Sequence, residues 1–330
     1  MPKFKKISKN IQQATITNPQ KTNSIDWINI HNAGKAEIEY LRKKYNFKLP
    51  QLQASSAKSS SQRPIIVHEP DYVFMILHFP YMEDSSGDKK ESNGRIVAAE
   101  IEFFIGHGFL VSLPSVPIEP LNEFFSLCKK DSGSLLSYRF ESSAILLYEI
   151  LNNLLKYSFV LLDNNSIAIS QAEKIVLSED QKKAADLILK LRHNLINTRK
   201  IMQNHKNIIK KMMGMESSII TREELKKYYG ELIDQTKNIW ETLENQREMV
   251  EVLYASYESI SNYRLNSVMK TLTIFYVIFS SMTLATGIFS IKVENGMPFI
   301  HYPHGFWMVM AIMGIIGLAM VYLFKNKKWF

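Results

Sequence analysis

The chain has 330 residues, of which 46% are hydrophobic and 22% are charged, and its formal net charge is +8. This length provides for one large domain or two smaller ones. The single cysteine, Cys128, excludes an internal disulfide framework. Basic residues are in excess, but no recognition motif with interleaved aromatic residues accompanies them, so we expect no nucleic-acid partner.

The first part of the chain predicts an α+β domain. Residues 1–22 are polar and rich in lysine, which predicts a flexible basic arm. Residues 23–220 contain short runs of β-branched and aromatic residues, and from Ile118 onward almost every pattern is helical. We therefore expect a small antiparallel sheet followed by long helices. The predicted strands lie at 24–30, 64–70, 71–81, 94–106 and 108–114.

From Thr221 the apolar residues alternate at spacings of four and three, with Thr236 and Gln246 filling two gaps. This spacing is typical of a coiled-coil seam and favours association of parallel copies; packing of one helix face in a globular core is the alternative. No proline interrupts 221–291, so we predict one stalk helix of about 70 residues, about 105 Å long. The seam consists of Leu225, Tyr229, Leu232, Ile239, Leu243, Val250, Leu253, Tyr257 and Ile260.

Two uncharged segments, 271–291 and 305–324, predict transmembrane helices. Each has about the 20 residues that a helix needs to cross a bilayer. Lysine and arginine residues flank the pair on one side, including the tail 325–330, whereas the intervening loop 292–304 carries one lysine and one glutamate. By the positive-inside rule we expect both termini in the cytoplasm of a multi-pass protein of the cell membrane.

If parallel copies meet around an axis, one stripe of the first span faces that axis. The stripe begins with an amide, continues through large apolar residues and ends with small and hydroxylated residues, which suits a hydrophobic gate followed by a narrow polar pore. Ordinary helix packing is the alternative, because serine, threonine and glycine are also common where membrane helices touch. In the second span Ala311, Gly314 and Gly317 predict close approach to the first. The stripe consists of Asn266, Met269, Leu272, Tyr276, Ser280, Thr283 and Gly287.

Several ordered motifs resemble the CorA family of divalent-cation channels. They are NSVMKTLTI at 266–274, TLATGIF at 283–289, Met297-Pro298 and the terminal FKNKKWF at 324–330. The resemblance implies a homopentameric funnel that transports Mg²⁺, or also Co²⁺ or Ni²⁺, with Mg²⁺ as regulatory ion too and no enzymatic activity. Family pore positions match Asn266, Met269, Leu272, Thr283 and Gly287 in type, whereas Tyr276 and Ser280 share the face without matching as well.

The external mouth departs from that family. Where its members carry Gly-Met-Asn, this chain has Ser290, Ile291 and Lys292, and Glu294 is the only acid of the following loop. Five lysine ammonium groups around a mouth would repel divalent cations by about 4 kcal/mol before screening. Lys292 either forms such a barrier or turns its long side chain outward to the lipid headgroups.

Metal-binding candidates outside the stripe are few. The carboxylates Glu231 and Asp234 on the stalk are candidates for a regulatory metal site, although most stalk acids belong to a solvated face. His301 and His304 could coordinate a softer ion such as zinc, or lie near the headgroups without a ligand role. The altered mouth leaves two other functions open: a zinc transporter like ZntB, or a non-conducting CorA-like scaffold or sensor.

Overall fold

The computed structural model of the chain forms two compact units, Met1–Leu253 and Tyr254–Phe330. The residues that it describes are 10–17, 24–31, 33–54, 63–83, 94–130, 140, 142–178, 180–213, 225–291 and 302–327.

The described part of the first unit contains one six-stranded sheet with the order β1-β2-β6-β5-β4-β3. Only β2 and β6 run parallel, and all other neighbours are antiparallel. The expectation of a purely antiparallel sheet is therefore wrong, because the chain between β2 and β6 is long enough to supply the crossover that parallel pairing requires. The strands are β1 (Ile11–Thr17), β2 (Ser24–Ile30), β3 (Ile65–His68), β4 (Tyr72–Glu83), β5 (Arg95–Gly106) and β6 (Phe109–Pro114).

Strand β1 corrects the expectation of a flexible arm over 1–22. Ile11, Ala14 and Ile16 of this strand are buried, and Ile11 pairs with Ile30 of β2. The high polar content of the arm conceals these few apolar residues, whose burial against the sheet offsets the cost of ordering the strand. The other residues of the predicted arm, 1–9 and 18–22, lie outside the described residues.

Helices cover both faces of the sheet. On one face Leu41 and Phe47, from and just after helix α1 (Lys35–Tyr45), join a core cluster with Ile28 and Phe104. On the other face Trp27 packs edge-on against Phe125 of helix α3 (Glu119–Lys130) with ring centroids 4.9 Å apart. Because successive side chains of a strand point to opposite faces, neighbours such as Trp27 and Ile28 serve two different cores.

The helices after the sheet follow the predicted helical content closely. Helix α4 is apolar enough to cross a membrane, but 67% of its most apolar window is buried inside the unit, so it is a core helix. A π-helical turn, Leu225–Tyr229, leads directly into α7, which confirms the long stalk helix over its described part. The helices are α1 (Lys35–Tyr45), α2 (Leu49–Ala54), α3 (Glu119–Lys130), α4 (Ser143–Val176), α5 (Gln181–Met202), α6 (His205–Met213), α7 (Gly230–Phe289) and α8 (Gly305–Asn326).

The heptad seam of α7 packs against helices of its own chain. Its residues from Tyr229 to Leu253 are buried within a single copy. The Tyr229 hydroxyl donates to the Ala144 carbonyl of α4 at 2.8 Å, and the Gln246 amide donates to the Leu162 carbonyl at 2.7 Å. The spacing was therefore a correct sign of helix packing, but its assignment to contacts between identical copies is wrong over this stretch. Tyr257 and Ile260 are only partly buried, and the side chain of Leu225 is not among those described.

The packing against α4 explains one of the two polar residues of the seam, Gln246. The Gln246 amide donates a second hydrogen bond to the Ser166 hydroxyl at 2.7 Å, so one side chain binds two groups of α4. Arg199 of α5 forms an ion pair with Glu244 at 3.2 Å and lies over the Trp240 ring at 4.9 Å. The buried Gln246 amide, with two partners on α4, fixes the register of α7 on that helix.

Candidate functional site

The predicted stripe lies on an exposed side of α7 in the second unit. All seven of its members are exposed in a single copy, including Met269 at 55%, Leu272 at 58% and Tyr276 at 73%. Tyr276, Ser280, Thr283 and Gly287 line one shallow groove along the helix. A methyl group placed on Gly287 would meet no atom within 4 Å. The structure thus brings the four outer stripe residues together on one surface of a single copy.

The opposite side of the same helix contacts α8. Ile274 is 2% exposed, the Ser281 hydroxyl lies 3.0 Å from the Met320 sulfur, and Gly317 sits against Met282. At about 100° per residue, the groove is centred roughly 140° around α7 from the side of Ile274 and Ser281. The side of α7 that holds the stripe is therefore distinct from the side that contacts α8.

Of the three small residues in the second span, only Gly317 mediates close helix approach. It is buried, and a methyl group there would lie 2.9 Å from the Met282 methyl carbon. Ala311 is exposed, and a methyl group on Gly314 would meet no atom within 4 Å. The expectation is confirmed for Gly317, whereas within a single copy neither Ala311 nor Gly314 makes a close contact with α7.

The stripe presents neutral oxygen atoms without carboxylates. The Thr283 hydroxyl donates to the Phe279 carbonyl at 2.8 Å, which commits its proton and leaves its lone pairs for a cation or for water. The Gly287 carbonyl accepts from the Ser290 amide at 3.2 Å. Neutral oxygens of this kind suit hard cations such as Mg²⁺, which keep part of their water shell.

The outer end of the stripe is described only as far as Ile291. Helix α7 ends at Phe289, and the Ser290 amide donates to the Thr286 carbonyl at 3.0 Å. Ser290 is exposed and Ile291 is 57% exposed. Lys292, Glu294 and His301 lie outside the described residues, so their predicted roles stay predictions. His304 precedes α8 without a side-chain capping hydrogen bond.

The two regulatory candidates have different surroundings. Glu231 is exposed and accepts a hydrogen bond from the Tyr148 hydroxyl of α4 at 2.7 Å. Burial, followed by the hydrogen bond to Glu231, raises the pKa of Tyr148. Asp234 is exposed, and no group of three or more metal-ligating side chains occurs within the described ranges. Sequence reasoning missed Tyr148, because a contact between residues 83 positions apart leaves no local signal.

Two further polar residues precede the stripe on the same helix. Glu258 and Asn262 line a second groove that ends at Asn266. Their positions could have been identified from the sequence, since Glu258 precedes Tyr276 by 18 residues and Asn262 precedes Ser280 by 18. Eighteen residues are about five helical turns, which returns a side chain to the same side.

Two helices of the described chain are apolar, long and uncovered. The most apolar windows of Lys226–Phe289 and of α8 are each only 6% buried, in contrast to α4. Exposed apolar surface of this length marks a segment that contacts lipid. The chain thus combines an α/β unit with two long, exposed apolar helices. This combination defines a membrane protein.

The family of this membrane protein follows from its sequence. A family model described as "CorA-like Mg2+ transporter protein" matches residues 22–327. The chain therefore belongs to the CorA family, which is a family of divalent-cation transporters and not a class of enzymes.

Known proteins show the extent of the similarity. The cobalt/magnesium transport protein CorA of Thermotoga maritima is 32% identical over 184 residues, which span 56% of this chain and 52% of that protein, about half its length. CorA of Methanocaldococcus jannaschii is 23% identical over 303 residues, 92% of this chain and 90% of that protein.

Solved structures show the same fold. The complete structure of the M. jannaschii CorA magnesium transporter has a TM-score of 0.81 at 21% identity, covering 98% of this chain and 100% of that one. The ZntB cytoplasmic domain from Vibrio parahaemolyticus has a TM-score of 0.61 at 14% identity, covering 78% of this chain and 100% of that one.

Proposed function

We propose that this chain is the subunit of a homopentameric channel that carries Mg²⁺ across a cell membrane, with Co²⁺ and Ni²⁺ as further candidate ions. The end of α7 and the whole of α8 are the two membrane spans, and both termini lie in the cytoplasm. Basic residues on one side of the spans support this orientation. The names of the T. maritima and M. jannaschii relatives, which specify cobalt and magnesium, support the choice of ions.

One observation carries the proposal: the exposed groove of Tyr276, Ser280, Thr283 and Gly287 on the side of α7 that α8 leaves free. The Thr283 hydroxyl has lone pairs that its bond to Phe279 leaves unused, and lipid tails offer no donor or cation for them. An axis shared by several copies supplies both, as water and permeating ions. Met269 and Leu272, which precede the groove, then form the hydrophobic constriction of a gate.

The number of subunits rests on the family resemblance, because the buried seam of α7 does not report on association. Five parallel copies would place five Thr283 hydroxyl groups around the axis. Native mass spectrometry of the detergent-solubilised protein tests this number, and a stable dimer or trimer would contradict it.

Flux into proteoliposomes tests the function. The purified chain is reconstituted into vesicles loaded with a Mg²⁺-sensitive dye, and external Mg²⁺, Co²⁺, Ni²⁺ or Zn²⁺ is added. We expect Mg²⁺ influx well above that of protein-free vesicles. A folded pentamer that carries no Mg²⁺ would contradict the proposal.

Zinc transport is the second candidate, because the outer mouth has Ser290 and Ile291 in place of the usual Gly and Met. The same vesicles discriminate between the two ions. Zinc flux that exceeds Mg²⁺ flux and depends on a proton gradient would favour a ZntB-like transporter. Saturable binding of Mg²⁺ without any flux would instead favour the non-conducting scaffold or sensor.

Regulation by cytoplasmic Mg²⁺ is part of the proposal, with Glu231 and Asp234 as candidate ligands. Their exposed carboxylates are accessible to a hydrated ion, or to a neighbouring copy that completes the site. Glu231→Gln removes a charge and keeps the acceptor for the Tyr148 hydroxyl. If Glu231 binds the regulatory ion, this variant conducts at cytoplasmic Mg²⁺ concentrations that close the wild-type channel.

A further inference from the structure

The cytoplasmic approach to the stripe carries a carboxylate. Glu258, Asn262 and Asn266 follow one another at intervals of four residues along α7 and line one groove. Each interval raises the side chain by about 6 Å along the helix and leaves it on nearly the same side. Three oxygen-bearing side chains thus form a ladder that leads to the constriction at Met269 and Leu272.

The ladder shares the side of the helix that holds the outer groove. Glu258 precedes Tyr276, and Asn262 precedes Ser280, by about five whole turns of the same uninterrupted helix. Tyr276 and Ser280 are the two stripe residues at the inner end of the outer groove. An axis that faces one pair of residues therefore faces the other.

The Glu258 carboxylate is exposed, and no residue of the described chain forms an ion pair with it. Glu244 and Glu251 of the stalk differ, since Glu244 is bound by Arg199 and Arg247, and Glu251 by Arg247. A single copy thus leaves the Glu258 charge unneutralised beside two amides. Several copies around an axis would concentrate that charge at one level of the pathway.

We propose that Glu258 forms an acidic ring at the cytoplasmic mouth of the pore, where it concentrates hydrated divalent cations before the Asn262 and Asn266 amides receive them. This inference rests on the proposed function, because it assumes that the stripe faces the axis of a conducting assembly. The ring acts by long-range attraction and keeps the water shell of the ion intact. Its effect must therefore fall with ionic strength, since the Debye length shrinks from about 30 Å at 10 mM to 3 Å at 1 M.

Cysteine chemistry can set the charge at this position in an already assembled protein. Glu258→Cys is modified either with a sulfonate-bearing methanethiosulfonate, which restores a negative charge, or with a trimethylammonium-bearing one, which places a positive charge. Native Cys128 is 4% exposed and burial raises its pKa to about 12, so it stays protonated and does not compete. Ser256→Cys is the matched control, since Ser256 is exposed two residues away and about 160° around the helix.

At 10 mM ionic strength we expect the sulfonate-modified Glu258→Cys channel to carry Mg²⁺ about three- to tenfold faster than the trimethylammonium-modified channel. At 1 M this ratio falls below about twofold. Both reagents leave the flux of Ser256→Cys unchanged. Equal flux after complete modification of Glu258→Cys with either reagent, measured at 10 mM, would overturn the acidic ring.

A second measurement separates the ring from the proposed function. Copper-phenanthroline oxidation should link Glu258→Cys subunits into disulfide dimers on a denaturing gel, and should leave Ser256→Cys subunits monomeric. If the wild type carries no cation but Glu258→Cys still cross-links, the channel function fails while the placement of Glu258 at the axis stands. If Glu258→Cys does not cross-link, the placement at the axis is overturned whatever the flux.

Discussion

Helix α7 contains two stretches that differ in how far their apolar side chains are buried. From Gly230 to Leu253 the apolar side chains of the seam are buried within the same copy, and Ile239 is 0% exposed. From Tyr254 onward most of them are exposed, with Leu284 at 67%, and Ile274 on the α8 side is an exception. The first stretch buries its apolar surface within one chain, whereas the apolar surface of the second must be covered by lipid or by further copies. One continuous helix can thus serve as a core element and as a membrane element.

The largest expected effect concerns the buried stretch. Leu243→Ala removes a side chain that is 3% exposed and leaves a cavity, so we predict a loss of about 2–5 kcal/mol in the free energy of unfolding. Leu189→Ala, on the exposed side of α5, should cost less than about 1 kcal/mol. Denaturant unfolding followed by circular dichroism measures both. An unchanged stability of Leu243→Ala together with loss of the oligomer would restore the interpretation of the seam as a contact between copies.

The exposed stretch predicts an effect on transport without an effect on folding. Gly287→Leu adds bulk on the groove, where a single copy has open space, so five leucines would close the proposed pore. We predict at least a tenfold loss of Mg²⁺ flux in proteoliposomes, with an unchanged elution volume in size-exclusion chromatography.

Gly314→Leu is the matched control for this prediction. Gly314 is also a membrane-span glycine with open space around it, but it lies in α8. We predict flux within about twofold of wild type, because bulk added where no atom of the copy lies nearby, and away from the proposed pore, costs little. Full flux in Gly287→Leu would show that the groove does not face the ion pathway.

The first unit, Met1–Leu253, contains a buried histidine that makes its stability depend on pH. Burial, together with the nearby His78, lowers the pKa of His205 to about 4. The unfolded chain, with an ordinary pKa near 6.5, binds more protons between these two values, so the free energy of unfolding falls as the pH drops through that window. The loss from this group is on the order of 1 kcal/mol at pH 5.5. The midpoint of thermal unfolding measured from pH 7.5 to pH 5.0 checks it.

His205→Phe provides the comparison, because Phe keeps a ring in the edge-on contact with Phe79, whose ring centroid lies 4.9 Å away. This variant should unfold with a shallower dependence on pH than the wild type. Identical slopes would show that another group dominates the acid sensitivity of the unit.

The smallest expected effect concerns the outer mouth. If Lys292 lines it, Lys292→Asn removes five positive charges, and Mg²⁺ flux should rise by about twofold at low ionic strength and by less at high salt. The rise is modest because a long lysine side chain can withdraw its charge from the axis. Equal flux for lysine, asparagine and glutamate at this position, across a tenfold range of salt, would place the side chain among the headgroups.

The sequence alone specified the elements that depend on local pattern. Continuous apolar length predicted the two exposed helices, short runs of β-branched and aromatic residues predicted β2 to β6, and the ordered motifs from Asn266 to Phe330 predicted the CorA family. The stripe could be listed before the structure because residues on one side of a helix recur at a fixed spacing. The side of α8 that meets α7 could not, and only Gly317 of the three small residues does so.

Only the tertiary structure decided which surfaces meet. A four-three alternation has the same form whether the partner helix comes from another copy or from the same chain, so it could not reveal that α4 and α5 cover Leu243 and Gln246. The parallel pairing of β2 with β6, the strand hidden in the polar arm, and the hydrogen bond from Tyr148 to Glu231 all join residues that are distant in the chain. Periodicity fixes the side of an element that must be buried; the partner that buries it is fixed by packing over the whole chain.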